Sequence, residues 1–171
     1  ASCCTPSVRG LMAYNTRLFK REDGALEVRT AASKPSPGGP GEPTPWEGRR
    51  VVVTAGDHAP LMARVVSALE KARGYAANDE QRAMLSKYVE CFASGSMAAH
   101  VDGSRHWIKD KGPAVESYIG FIESYQDPFG VRGEWEGFVA VVNRAVSRTF
   151  QKLVDAAPRL LPLLPWPAAF E

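Results

Sequence analysis

The tripeptide Glu-Ser-Tyr occurs twice in the stretch VESYIGFIESYQDPFG at 115–130, as Glu116-Ser117-Tyr118 and again as Glu123-Ser124-Tyr125. In each copy the carboxylate and the phenol are two residues apart. On an extended strand that spacing puts them on one face, about 6.7 Å apart along the chain. A carboxylate holds an ammonium group through a charge-assisted bond, and a neutral phenol donates to an oxyanion. Two extended residues of a peptide span at most about 7 Å. A Glu-x-Tyr strand therefore matches a peptide's free amino end and the carbonyl two residues in. The same residues also alternate on ordinary half-exposed strands, and spacing alone does not separate the two uses.

Other reactive constellations are missing. His58, His100 and His106 are the only histidines, with no HExxH, no CxxC and no carboxylate spaced as a third ligand. Structural or solvent-facing roles suit them better than zinc ligation. There is no GxSxG elbow and no phosphate-cradling GxxxxGK[ST] loop. Cys91, beside Phe92, reads as a small core residue. Trp107 sits among Arg105, His106, Lys109 and Asp110, where a half-exposed ring can line a binding cleft. Glu134 and Glu136 flank Trp135 at the expected start of a helix, where acidic side chains favour the dipole.

The elements that must position these residues follow from the chain's patterning. With 171 residues, 44% hydrophobic and 23% charged, it suits one domain or a piece of a larger one. A formal charge of +2 with the signs interspersed gives no nucleic-acid or membrane footprint. No run approaches the ~18 apolar residues of a membrane span, and no signal-peptide core is present near the first residue. Three cysteines, Cys3, Cys4 and Cys91, lack framework spacing and point to free thiols in the cytosol. The chain opens ASCC and stops at LLPWPAAFE, which reads as a fragment.

Residues 14–33 predict a hairpin about Asp23-Gly24. Five prolines and four glycines at 34–48 predict a surface loop, and RRVVVT at 49–54 a buried strand. A helix is expected from a cap at Asp57, with Leu61, Val65, Leu69 and Ala72 on one face and Gly74 as its end. Asn78 and Gln81 form a capping box for a second helix, with Met84, Leu85, Tyr88, Val89 and Phe92 as its apolar stripe before Gly95. A third is expected over 134–157, turning Phe138, Val141, Phe150 and Leu153 inward and stopped by Pro158. The doubled motif, with β-branched and aromatic residues around Gly120, predicts a strand over 115–125. An odd separation then sends the two Glu-Tyr pairs to opposite faces.

The words YAAN at 75–78, GSRHWIKDKGPAVESYIGFIESYQDPFG at 103–130 and RGEWEGFVAVVNRAVS at 132–147 resemble the dipeptidyl peptidase III family of zinc exopeptidases. AYNTRLFK at 13–20, EVR at 27–29 and LPWPAAFE at 164–171 fit the same family. The resemblance covers 13–171, leaves 1–12 unmatched and is weak in the 34–48 loop. It implies an α+β fold, with N-terminal strands and the Pro/Gly-rich loop followed by helices, forming part of the β-barrel-containing lower lobe of a two-lobed metallopeptidase. Such enzymes remove dipeptides from the amino end of short peptides. Their zinc is held by HEXXGH and EEXXAE-type motifs, which this chain lacks.

The resemblance also implies roles by position. Tyr125 matches the family's tyrosine on the scissile carbonyl, and Glu123 the glutamate that helps hold the substrate's amino terminus. Glu136 matches a second acid of that subsite, and Trp107 a tryptophan on the substrate side. His106, Gln126 and Trp135 depart from the usual Phe, Arg and Phe. The chain is thus expected to supply the substrate-clamping part of a peptidase. Its partners are short peptides and the remaining lobe of the same polypeptide, with no nucleic acid and no membrane. By itself it is expected to bind no catalytic zinc and to be inactive; the alternative is a truncated, non-catalytic peptide- or partner-binding fragment.

Overall fold

The computed structural model describes residues 14–36 and 44–166. Two strands, β1 (Thr16–Lys20) and β2 (Leu26–Ala31), form the expected antiparallel hairpin, with Gly24 at φ +81° in its turn. β3 (Thr44–Trp46) and β4 (Arg49–Asp57) complete a sheet of order β1-β2-β4-β3, in which β4 runs parallel to β2. The expected loop at 34–48 is therefore shortened from its far end. Glu47 and Gly48, both at positive φ, turn β3 back onto β4, while the proline-rich residues 37–43 lie outside the described residues. The triple valine of β4 is half-buried rather than fully buried.

Helix α1 (Ala59–Arg73) does not begin on an Asp57 cap. Arg17 of β1 engages both Asp57 carboxylate oxygens, at 2.6 and 2.7 Å, and holds the carboxyl below its ordinary range. With Asp57 committed to the sheet, His58 becomes the cap residue in a left-handed conformation and gives no side-chain capping hydrogen bond. Its carbonyl accepts from Leu61 and Met62.

Helix α2 (Asp79–Ser94) follows the predicted box. Asn78 Oδ1 accepts from the Gln81 amide at 2.8 Å, and Gln81 Oε1 reaches back to the Ala77 amide at 2.8 Å. Its Met84, Leu85, Tyr88, Cys91 and Phe92 form the core with Met62 of α1 and Ala99 of α3 (Met97–Trp107). Burial pushes the Cys91 thiol up to about 12, so it is a packing residue. Ser96 caps α3, its hydroxyl accepting from the Ala99 amide at 3.2 Å.

Strand β5 (Val115–Phe121) pairs antiparallel with β6 (Trp135–Val141). This corrects two expectations. The strand stops at Phe121, before the second Glu-Ser-Tyr, and the stretch from Glu134 is not the start of a helix. In WEGFVAV both alternating faces carry apolar residues, and the available edge of β5 selects the strand. The helix begins later, as α4 (Arg144–Leu160), where Asn143 Oδ1 accepts from Ala145 and Val146 at 3.2 and 3.1 Å. Pro158 is accommodated inside it near its end. α4 has no buried residue, and Phe150 and Leu153, expected inward, are exposed. A short 3₁₀ turn follows over Leu161–Leu163.

The hairpin meets the helices at one close approach. A Cβ on Gly120 of β5 would lie 2.6 Å from His100 Cε1 on α3, and the His100 ring stacks on Tyr88 of α2 with centroids 5.5 Å apart. Ile119 and Phe121 pack against the core from the same strand. Gly120→Ala is expected to cost about 1–3 kcal/mol of stability, the usual range for overpacking. Denaturant unfolding checks it, and the cost should shrink in a His100→Ala background, where the obstructing ring is gone.

Candidate functional site

The loop between β5 and β6 carries the second Glu-Ser-Tyr. Past Phe121 the ladder continues for one step. Ile122 N–H donates to the Glu134 carbonyl at 3.0 Å, and Glu134 N–H donates to the Glu123 carbonyl at 2.7 Å. Glu123 is thereby fixed opposite Glu134 by its backbone while its side chain stays exposed. The chain then turns over Ser124–Asp127, with Asp127 N–H donating to the Ser124 carbonyl at 3.2 Å. Tyr125 stands at this corner, 76% exposed.

Asp127 organises the rest of the loop. Its carboxylate accepts from the Val131 and Arg132 amides at 2.9 and 3.4 Å and from the Arg132 guanidinium at 2.8 and 3.0 Å. The backbone bond from Val131, followed by the Arg132 guanidinium, holds the carboxyl down at about 2. Within the loop, Gly130 N–H closes a turn onto the Asp127 carbonyl at 2.9 Å. Asp-Pro-x-Gly is a β-turn sequence, so the turn itself was open to prediction; the fourfold use of the carboxylate was not.

The strand places the first Glu-Ser-Tyr differently. Glu116, Tyr118 and Gly120 share one face of β5 with their register partners Ala140, Phe138 and Glu136. Tyr118 stacks on Phe138 with centroids 5.3 Å apart. Trp107, at the end of α3 and 41% exposed, donates its indole N–H to Glu116 Oε1 at 2.7 Å. Glu136 is half-buried beside Gly120 in the register.

The four sequence-predicted residues thus fall into two groups. Glu123, Tyr125 and Glu136 belong to the loop end of the hairpin. Trp107 is tied to Glu116, five residues back from Phe121, or roughly 17 Å along the strand. Because Glu123 and Tyr125 lie beyond the strand, the alternation argument that separated the two pairs does not apply to them. Sequence reasoning left Glu116 without a role; its link to Trp107 joins the end of a helix to a strand, and no local signal announces it.

Two cavities flank the hairpin. One, of about 970 Å³, lies between α1 and the rings of Phe121 and Trp135. The other, of about 470 Å³, lies between residues 14–17, His58 and the base of the loop at Gln126, Asp127 and Arg132. None of the four predicted residues lines either cavity. Trp135 instead packs edge-on against Phe121 and near Phe92. His106 Nδ1 meets Glu80 at 2.7 Å and holds that carboxyl below its ordinary range. His100 is pushed toward its neutral form by burial. Among the described residues no group of three or more His, Cys, Asp or Glu side chains is placed to hold a metal ion. The residues described do not fit a zinc centre. Among those residues, too, no helix is long and apolar enough to cross a membrane.

The hairpin with its stapled acidic loop, set against three helices and a mixed sheet, belongs to a recognisable class of chain: residues 5–171 match Peptidase family M49, and the chain is a member of that family. Among curated proteins it is 55% identical over 174 aligned positions to dipeptidyl peptidase 3 of Homo sapiens, 49% over 163 to that of Nematostella vectensis and 45% over 163 to that of Dictyostelium discoideum. Each alignment takes in 95% of this chain but only 22–24% of the relative, so the chain spans about a quarter of their length. Among solved structures it is similar in fold to dipeptidyl-peptidase III from Corallococcus sp. strain EGB, with TM-score 0.55, 18% identity, and coverage of 87% of this chain and 23% of that one. It is also similar to DPP III from Caldithrix abyssi, with TM-score 0.58, 20% identity, and coverage of 92% and 25%. The α+β class expected from the sequence is borne out by these neighbours.

The Asp127 staple has a testable acid dependence. Its folded pKa of about 2 lies below the ordinary Asp value near 3.9, so its stabilisation is complete above about pH 4 and is lost as pH falls through about 2. The Val131 and Arg132 amide resonances are expected to titrate with a midpoint at about 2. A midpoint near 3.9 would show that the carboxylate does not hold the loop.

Proposed function

We propose that this chain supplies part of the substrate-clamping wall of a zinc-dependent dipeptidyl peptidase, which removes dipeptides from the amino end of short peptides. The observation that carries the reading is membership of Peptidase family M49 together with 55% identity to human dipeptidyl peptidase 3 across nearly the whole chain. Residues 13–171 are taken as part of the lower lobe, with 1–12 as a preceding segment. The zinc and its ligands belong to other parts of the longer polypeptide. The cytoplasm is the compartment that suits the buried free thiol of Cys91.

In this reading the Tyr125 hydroxyl donates to the carbonyl oxygen of the bond being cut and stabilises the negative charge that develops there. The exposure of its phenol on a stapled turn supports that use, because a donor must be free yet held. Glu123 accepts from the substrate's ammonium group, its position set by the backbone bond to Glu134. Glu136 adds a second carboxylate to the amino-terminal subsite, and the exposed ring of Trp107 forms an apolar wall for the peptide.

The remaining lobe of the same polypeptide is the partner of α4. Val146, Phe150, Leu153 and Val154 recur at helical spacing on that helix and are 47–63% exposed, an apolar stripe that a soluble protein covers. The interspersed surface charges suit peptide substrates and no nucleic acid or membrane.

Two substitutions in the full-length enzyme test the reading. Tyr125→Phe is expected to lower kcat by on the order of 10²–10³, the usual loss for one oxyanion donor. A kcat unchanged within about a factor of two would remove Tyr125 from the chemistry. Glu123→Gln is expected to weaken binding of peptides with a free amino end while sparing amino-blocked analogues. Equal loss for both would exclude the clamp.

A further inference from the structure

We propose that Glu116 is a positioning residue for substrate binding: it fixes the indole of Trp107 and thereby the aromatic wall on which the peptide lies. The inference rests on the reading above that Trp107 faces the substrate, and adds to it a residue that touches no substrate.

Trp107 is the last residue of α3 and is 41% exposed. A tryptophan at a helix end, partly in solvent, has more than one rotamer open to it. The bond from its indole N–H to Glu116 Oε1, at 2.7 Å, is charge-assisted and selects one of them. The acceptor is itself fixed. The same Oε1 accepts the Ser117 amide at 2.9 Å, which locks the carboxylate against the strand that carries it. β5 is in turn held by full pairing with β6 and by the contact of Gly120 with His100.

The approach to this pair is fastened from α2 as well. Asn78 Nδ2 donates to Asp110 Oδ1 at 2.8 Å, Gln81 Nε2 to the Val115 carbonyl at 3.3 Å, and His106 Nδ1 meets Glu80 at 2.7 Å. These bonds tie both ends of the connection from α3 to β5 to the start of α2. Within that frame the Trp107 indole N–H has a stationary acceptor. An exposed ring held this way is preorganised, and a ligand that lies on it orders less on binding.

The test is steady-state kinetics on the full-length protein, with thermal unfolding and the indole N–H resonances recorded for each variant. Glu116→Ala is expected to raise KM for short peptides about tenfold, with kcat held within about a factor of two, the pattern of lost uniform binding. Glu116→Gln keeps a carbonyl oxygen as acceptor and is expected to restore most of the affinity. In a Trp107→Ala background, Glu116→Ala should change KM no further. The Trp107 indole N–H resonance should shift in Glu116→Ala and stay near its wild-type position in Glu116→Gln.

Different failures have different meanings. If Trp107→Ala raises KM and Glu116→Ala does not, the positioning role is overturned while Trp107 keeps its place on the substrate side. If Trp107→Ala leaves KM unchanged, the reading of Trp107 fails and the proposal with it. A lower unfolding temperature with KM unchanged would make Glu116 a structural residue only. Should Glu116→Ala fail to fold, Trp107→Phe removes the donor and keeps a ring; wild-type KM in that variant would overturn the proposal.

Discussion

Two aromatic rings pinched between two glycines hold the hairpin to the helices. Tyr88 of α2 and His100 of α3 stack at 5.5 Å. On one side, a Cβ on Gly103 would come within 2.8 Å of Tyr88 Cε1; on the other, a Cβ on Gly120 would come within 2.6 Å of His100 Cε1. The absence of two methyl groups lets α2, α3 and β5 approach to contact distance. Burial keeps both rings uncharged: the Tyr88 hydroxyl is pushed up to about 12, and His100 is pushed toward its neutral form. The seam is thus set by shape more than by charge, and β5 enters the loop from a fixed direction.

From that fixed strand the molecule builds a short polar structure with few means. The loop after Phe121 leaves its larger side chains, Tyr125, Phe129 and Val131, exposed, and its order comes from hydrogen bonds onto one carboxylate. Asp127 takes two backbone amides and a guanidinium, satisfying groups that a longer loop would leave to water. Exposed ion pairs contribute little by themselves. The Asp127 side chain, however, is only 5% exposed and its bonds converge, so it constrains the backbone as well as pairing charge. The result leaves the Tyr125 side chain in solvent on a backbone that is held.

Legibility in the sequence divides along the range of the interactions. The Asn78 and Gln81 box, the Met84 to Phe92 stripe and the Asp23-Gly24 hairpin are each decided within a few residues, and all three are present. The cap expected at Asp57 failed because Arg17, 40 residues away, claims the same oxygens. The helix expected from Glu134 failed because residues 135–141 satisfy both periodicities, and the edge of β5 decides between them. Of the site, the residue types were legible. Their grouping was not, since it depends on where β5 ends and on the Trp107 to Glu116 bond. The exposed stripe of α4 marks the same limit: its pattern reads as inward-facing, and nothing among the described residues covers it.

The repeated Glu-Ser-Tyr shows how little a motif fixes without its backbone. In the first copy, pairing with β6 fixes the φ and ψ of all three residues, so Glu116 turns toward Trp107 and Tyr118 onto Phe138, and both side chains are spent on the protein. In the second, the Glu123 carbonyl is paired across to Glu134 and the Ser124 carbonyl closes the turn onto Asp127, which carries Tyr125 away from any ladder. The Tyr118 ring is held half-buried against Phe138, whereas Tyr125 projects from a turn into solvent. The chemistry open to each copy therefore follows from the point at which β5 stops. That point is set from outside the motif, by the Asp127 carboxylate gathering the amides of Val131 and Arg132 and turning the chain back toward β6.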